Sequence, residues 1–202
     1  MDMVLVIEAQ TKEFAQKFWE FVQKGKYRNR AKSNGKPQFY RFDKPEENGY
    51  PAMIELFSRA NWELDPGTVL TPIHIDDSVS SLSAILLDDS YYELLLRERN
   101  IIDGITVLKP SGLIVFKAKA WLDQKLGQGE HVDSRDIKKH RNDILRIVSE
   151  MPLEFCELPE KARKDMERFT RTLKVTKEEL KNLKITGVQE ADIINTLRDT
   201  FG

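Results

Sequence analysis

Glu55 lies in the run Ala52-Met53-Ile54-Glu55-Leu56-Phe57, where strand alternation puts Met53, Glu55 and Phe57 on one face and Ile54 and Leu56 on the other. An acid with large apolar neighbours on both faces is at least partly buried. There it needs a cation, hydrogen bonds or a proton, and Arg41 on the neighbouring hairpin arm is one such cation. Asp2 stands at the lip of Met3-Val4-Leu5-Val6-Ile7, a second run apolar on both faces and so a central-strand candidate. Two acids at the same end of neighbouring strands offer the hard oxygen ligands that Mg2+ takes, with positions left open for phosphate.

Three further groups have chemistry in reach. Lys117 lies over Leu113, Ile114 and Trp121, where an ammonium either snorkels to water or meets an anion. Asp136, His140 and Asp143 recur at i, i+4 and i+7 and share a helix face, which positions a base or makes ordinary helical ion pairs. Lys24, Lys26, Arg28, Arg30, Lys32 and Lys36, with Tyr27 among them, form the one local cationic patch. Such a patch steers an RNA backbone or a triphosphate, or is a solvated hairpin face. His74 and Cys156 have no partners visible in the sequence and read as structural. There is no Walker loop, nucleophile elbow, His-Glu-x-x-His or zinc spacing.

Several elements must position these groups. After the first strand, Thr11 caps a helix whose apolar residues Phe14, Ala15, Phe18, Trp19 and Val22 recur at helical spacing, with Gly25 as its C-cap glycine. Asn34-Gly35 marks a hairpin returning through Gln38–Phe42. The Glu55 strand follows, then the strand candidates VLTPIHI and SAILL. The segment YYELLLRERNIIDGITVLKP reads as a meander or in part as helix. SGLIVFKAKAWLDQKL is apolar nearly all round, hence a buried helix, and DSRDIKKHRNDILRIVSEM is a second, charged one. Beyond Pro152 the pattern is purely helical: a stripe of Leu158, Ala162, Met166, Phe169 and Leu173, a capping box of Thr176 with Glu179, and a last stripe ending at Phe201. The expected fold is α+β, a mixed, mostly antiparallel sheet packed with helices over residues 1–151, with a C-terminal helical region over 152–202.

Composition narrows the setting. A chain of 202 residues with 40% hydrophobic and 32% charged residues buries a substantial core. Lys+Arg 32 against Asp+Glu 33 leaves no whole-protein field to attract nucleic acid, so any such attraction is local. One cysteine excludes an internal disulfide and a cysteine-cluster metal site. No apolar run approaches the roughly 20 residues of a membrane span, and the apolar start, with Asp2 and Glu8, is not a signal peptide. The expectation is a cytoplasmic protein with no membrane partner.

The run MDMVLVIE, a helix, a hairpin and then MIELF resembles the metal-binding core of the nucleotidyltransferases related to DNA polymerase β, in the branch that contains the AbiE-type bacterial toxins. That family places a Gly-Gly or Gly-Ser turn before an acid-x-acid pair on one strand, with a third acid on a nearby strand. Asp2 matches the second acid of the pair and Glu55 the third; the first acid would fall one position before Met1. The sequence thus opens in mid-motif: either its start lies upstream or the catalytic front has been lost. The family's Lys-x-x-Ala helix matches Lys117-Ala118-Lys119-Ala120, and its Arg-Asp helix start matches Arg135-Asp136. The pattern's next acid, three residues on, is replaced by Lys139, so His140 or Asp143 would stand in. The likeness covers roughly residues 1–150.

The resemblance implies transfer of a nucleoside monophosphate from an NTP to an acceptor hydroxyl. It assigns two Mg2+ ions to Asp2, Glu55 and the absent acid, phosphate neutralisation to Lys117, and orientation of that lysine or the nucleotide to Asp136. Lys119 and His140 would join Lys117 around the nucleotide, and Lys26, Arg28 and Arg30 would meet nucleic acid. The acceptor would be tRNA, another RNA or a protein side chain, and an antitoxin protein is an expected partner. The alternative is a non-catalytic descendant that keeps the sheet and the cationic patch to bind RNA or a partner protein.

Overall fold

The computed structural model describes residues 2–7, 12–31, 37–59, 70–73, 82–125 and 134–202. Thr11, Glu8, Lys32, the Asn34-Gly35 turn, Lys36 and His74 lie outside these residues, as do the side chains of Arg30, Arg135 and Asp136. The chain forms two compact units, Met1–Asp89 and Ser90–Gly202.

In the first unit, β1 (Asp2–Ile7), α1 (Lys12–Lys24), β2 (Arg28–Ala31), β3 (Pro37–Asp43), β4 (Met53–Arg59), β5 (Leu70–Ile73) and β6 (Leu82–Leu87) follow in order. The strands make one mixed sheet in the order β2-β3-β4-β6-β5, with β1 also on β4. β1 runs parallel along the length of one edge of β4, from Asp2 opposite Met53 to Ile7 opposite Ser58. The other edge is divided: antiparallel β3 takes Met53–Glu55 and parallel β6 takes Phe57–Arg59. The remaining ladders, β2–β3 and β5–β6, are antiparallel.

Period-two burial along β4 follows from this placement, with Ile54, Leu56 and Ser58 buried, Met53, Glu55 and Phe57 half-buried, and Arg59 exposed. Ile54, Leu56, Phe42 and Ile7 meet Ala15, Phe18 and Val22 of α1 in one core. The rings of Phe18 and Trp19 stand edge-on to Phe42 at 5.2 and 5.7 Å. Helix α1 therefore covers one sheet face, and the residues opposite it form the second face.

The end of α1 differs from the expected glycine cap by one position. Tyr27 N–H donates to the Val22 carbonyl and Lys26 N–H to that of Gln23, the paired bonds of a Schellman ending. The residue in the left-handed conformation is Lys26 (φ 51°), not Gly25. Gly25 is required for room instead: a Cβ there would sit 2.6 Å from the Tyr27 ring and 2.8 Å from the Tyr50 ring.

The second unit holds α2 (Asp89–Arg97, whose first residue closes the first unit), β7 (Arg99–Ile102), β8 (Ile105–Leu108), α3 (Pro110–Lys125), α4 (Ser134–Glu150), α5 (Glu160–Thr172), α6 (Lys177–Asn182) and α7 (Glu190–Phe201). The ambiguous segment after Asp89 resolves into both readings, a helix and then a hairpin. Asp103 (φ 51°) and Gly104 (φ 77°) give that hairpin its two left-handed turn residues. Pro110 opens α3, where its missing N–H costs nothing. The Thr176–Glu179 capping box forms as its spacing predicts, with both reciprocal hydrogen bonds present.

Helix α3 buries Ile114, Val115, Ala118, Trp121 and Leu122 against Ile144 and Leu145 of α4 and against α5, with the Phe169 ring perpendicular to Trp121 at 5.2 Å. Helix α7 packs on α4 and α5. The expected division after residue 151 thus does not coincide with the one between the units, because the C-terminal helices supply the core partners of α3. Among the described residues no helix is long and apolar enough to cross a membrane.

Candidate functional site

The face of the first unit's sheet opposite α1 carries the charged residues. Register pairing fixes who shares it, since residues opposed across a ladder point the same way. Arg28 on β2 opposes Asp43 on β3, Asp43 opposes Met53 on β4, and Met53 opposes Asp2 on β1. In the adjoining row Arg41 opposes Glu55, which opposes Val4. Asp2 and Glu55, matched to the metal-binding acids, therefore lie on paired strands, on one face, one row apart.

The two acids differ in environment. Asp2 is exposed. The Glu55 side chain is 15% exposed and its cation is Arg41, itself 27% exposed. Arg41 Nε donates to Glu55 Oε1 at 2.6 Å, and the Arg41 Nη2 amino group meets the same oxygen. Charge-assisted contacts in a partly desolvated setting are stronger than on an open surface, so the guanidinium satisfies the need that burial imposes on this carboxylate.

Among the described residues no group of three or more His, Cys, Asp or Glu side chains is placed to hold a metal ion. Mg2+ is commonly held by only one or two carboxylates, with substrate phosphates and water completing its shell. Asp2 and Glu55 offer two carboxylates of that kind, and among the described residues no third acid joins them in a group placed to hold a metal ion.

The cationic stretch is not bare. Lys26 Nζ lies 2.6 Å from Glu47 and Arg28 Nη2 lies 3.9 Å from Glu46, all four side chains being exposed. Glu46 N–H donates to the Gly25 carbonyl, which holds the acidic turn beside the end of α1. The hydrogen bond that Lys26 donates to Glu47, then the charge of that carboxylate, raises the Lys26 ammonium above its ordinary pKa.

In the second unit α3 and α4 make a polar seam. Lys117 Nζ donates to Asp143 Oδ2 at 2.7 Å, both side chains about three-quarters buried at 21% and 25% exposure. The acid beside the lysine among the described side chains is therefore Asp143, which the sequence offered only as a stand-in for the helix's second acid; the lysine itself was assigned to Asp136, whose side chain is not among them. His140 Nε2 lies 3.4 Å from Gln124 Nε2. Lys119 is taken up one turn along its own helix by Asp123. Asp43 and Gln124 escaped the sequence reading. Asp43 shares the alternation of Arg41 and was findable; Gln124 is brought to His140 only by the packing of two helices.

Cys156 sits in a setting that disfavours its thiolate. It is buried, and burial first, then the negative charge of Glu98, pushes its thiol up to about 11. Ser111 Oγ donates to the buried Glu98 carboxylate at 2.6 Å, which supplies a partner for that charge.

Compared with family models, curated proteins and solved structures, the chain matches none of them.

Proposed function

We propose that this chain is a nucleotidyltransferase-like protein that joins a nucleoside monophosphate from an NTP to an acceptor hydroxyl. The observation that carries the reading is the placement of Asp2 and Glu55 on one face of two paired parallel strands, as the resemblance requires of its metal-binding acids. In the reaction the acceptor oxygen bonds to the α-phosphorus, the bond from that phosphorus to the bridging oxygen breaks, pyrophosphate leaves, and the hydroxyl proton passes to solvent. Asp2 and Glu55 would hold Mg2+, which supplies positive charge for the triphosphate. The resemblance assigns phosphate neutralisation to Lys117 and further nucleotide contacts to Lys119 and His140; within the second unit Asp143 holds Lys117. The proposed acceptor is tRNA, another RNA or a protein side chain, and the proposed masking partner is an antitoxin protein.

A second reading, a binding module without transfer, is favoured by the Arg41–Glu55 ion pair, because a carboxylate neutralised by a guanidinium is a poorer metal ligand. One experiment separates them. The full chain is incubated with each α-labelled NTP, Mg2+ and total RNA, and label on RNA or on protein is counted beside thermal shifts under the same conditions. Transfer lost in Glu55→Gln supports the enzyme. A shift that depends on the RNA, without transfer, supports the module. Neither shift nor transfer overturns both.

A further inference from the structure

We propose that Arg41 makes the loading of a divalent cation and of a polyphosphate on this sheet face mutually dependent. The inference rests on the reading just given and adds a regulation of the same site. Both Arg41 contacts fall on one oxygen of Glu55, Oε1. The two side chains are mostly shielded from water, so solvent is a poor substitute for either partner. A cation arriving alone must displace the guanidinium and leave it beside a new positive charge. A polyphosphate arriving alone meets the carboxylates of Asp2, Asp43 and Glu55 on the same face, with Arg41 already engaged and Arg28 facing Asp43 and Glu46. Arriving together, the cation takes Glu55 and a phosphate takes Arg41. Because Arg41 stands directly opposite Glu55 in the ladder, the exchange needs side-chain rotation and no change of register. Such a coupling is reciprocal: whatever factor the polyphosphate adds to cation affinity, the cation adds to polyphosphate affinity. Arg41 acts here through Glu55 and is a positioning residue.

Equilibrium dialysis of the full chain against Mn2+ alone, inorganic tripolyphosphate alone and their preformed complex tests this without catalysis. In the unaltered protein the complex binds at least about tenfold more tightly than either component, a difference of about 1.4 kcal/mol. Arg41→Met raises the affinity for Mn2+ alone by about tenfold and erases the advantage of the complex. Arg59→Met removes an equal charge further along β4, where Arg59 pairs with Asp89, and leaves the Mn2+ value where it was. If R41M does not fold, Arg41→Lys, whose ammonium is a single point of contact, gives a smaller rise in Mn2+ affinity. Equal Mn2+ binding by the Arg41 variant and the parent, with the complex still bound, overturns the inference and leaves the proposed function standing. Failure of the parent to bind any of the three probes overturns that function and the inference with it.

Discussion

Replacing Phe169 by alanine tests whether the C-terminal helices are integral to the unit that carries Lys117. The Phe169 side chain is 0% exposed and its ring meets Trp121 edge-on at 5.2 Å and 90°. Truncating such a ring removes its transfer free energy and leaves a cavity, about 3–5 kcal/mol. The ring pair contributes a further ~0.5–1.5 kcal/mol beyond area. A loss of about 4 kcal/mol in a unit of this size lowers its Tm by about 15 °C. Hydrogen exchange followed by mass spectrometry locates the loss. If α3, α4 and α5 share one core, Phe169→Ala lowers protection in all three, although the substitution lies in α5 alone. Loss confined to α5, with α3 and α4 as protected as before, refutes the shared core and restores the C-terminal helices to an appendage.

Three other outcomes follow from local geometry. Gly112→Ala places a Cβ 2.7 Å from Glu98 Cβ and 3.1 Å from Leu108 Cδ1. It destabilises the unit by about 1–3 kcal/mol in urea titration, although alanine is the better helix former; a gain in stability would show that the contact relaxes freely. Glu179 has its pKa lowered, chiefly by the hydrogen bond from Arg141, so the folded protein holds this carboxylate ionised more readily than the unfolded chain. The resulting stabilisation is full above the unfolded value near 4.5 and disappears as pH falls through the depressed folded value. The stability difference between the parent and Glu179→Gln therefore shrinks on acidification, and a difference independent of pH refutes the pairing. The Cys156 thiol, pushed up to about 11, reacts with a disulfide reagent at pH 8 far more slowly in the folded chain than in urea; equal rates would place it in an open, ionisable setting.

The parts of this fold that were legible are those written in one element at a time. Alternation at Met53–Phe57 and helical spacing from Phe14 to Val22 are local patterns, and both faces came out as the patterns require. The possible Arg41–Glu55 pair was legible too, because a hairpin arm and the next strand leave few registers open. What stayed hidden depended on packing between distant segments. A helix apolar nearly all round announces that α3 is buried without saying what buries it, and the answer lies in Phe169 and its neighbours, some fifty residues on. The resemblance gave the lysine to Asp136, whose side chain lies outside the described residues, whereas the α3–α4 packing sets Asp143 beside it. At the end of α1 the glycine was visible, but its purpose was not, since the rings that exclude a side chain there come from Tyr27 and Tyr50.

The pairing of β1 with β4 has a consequence for biosynthesis. Met3–Ile7 leaves the ribosome some fifty residues ahead of Met53–Ser58, its only ladder partner among the described residues. At about 5–20 residues per second, the nascent strand waits roughly three to ten seconds with its hydrogen-bonding edges open and its apolar side chains uncovered. Long-range parallel pairing is also slow once both strands are present. During that interval the amphipathic α1, which emerges next, can shield only one face of the strand. Among the described strands of this unit, β1 is therefore the one whose ladder partner arrives latest in synthesis.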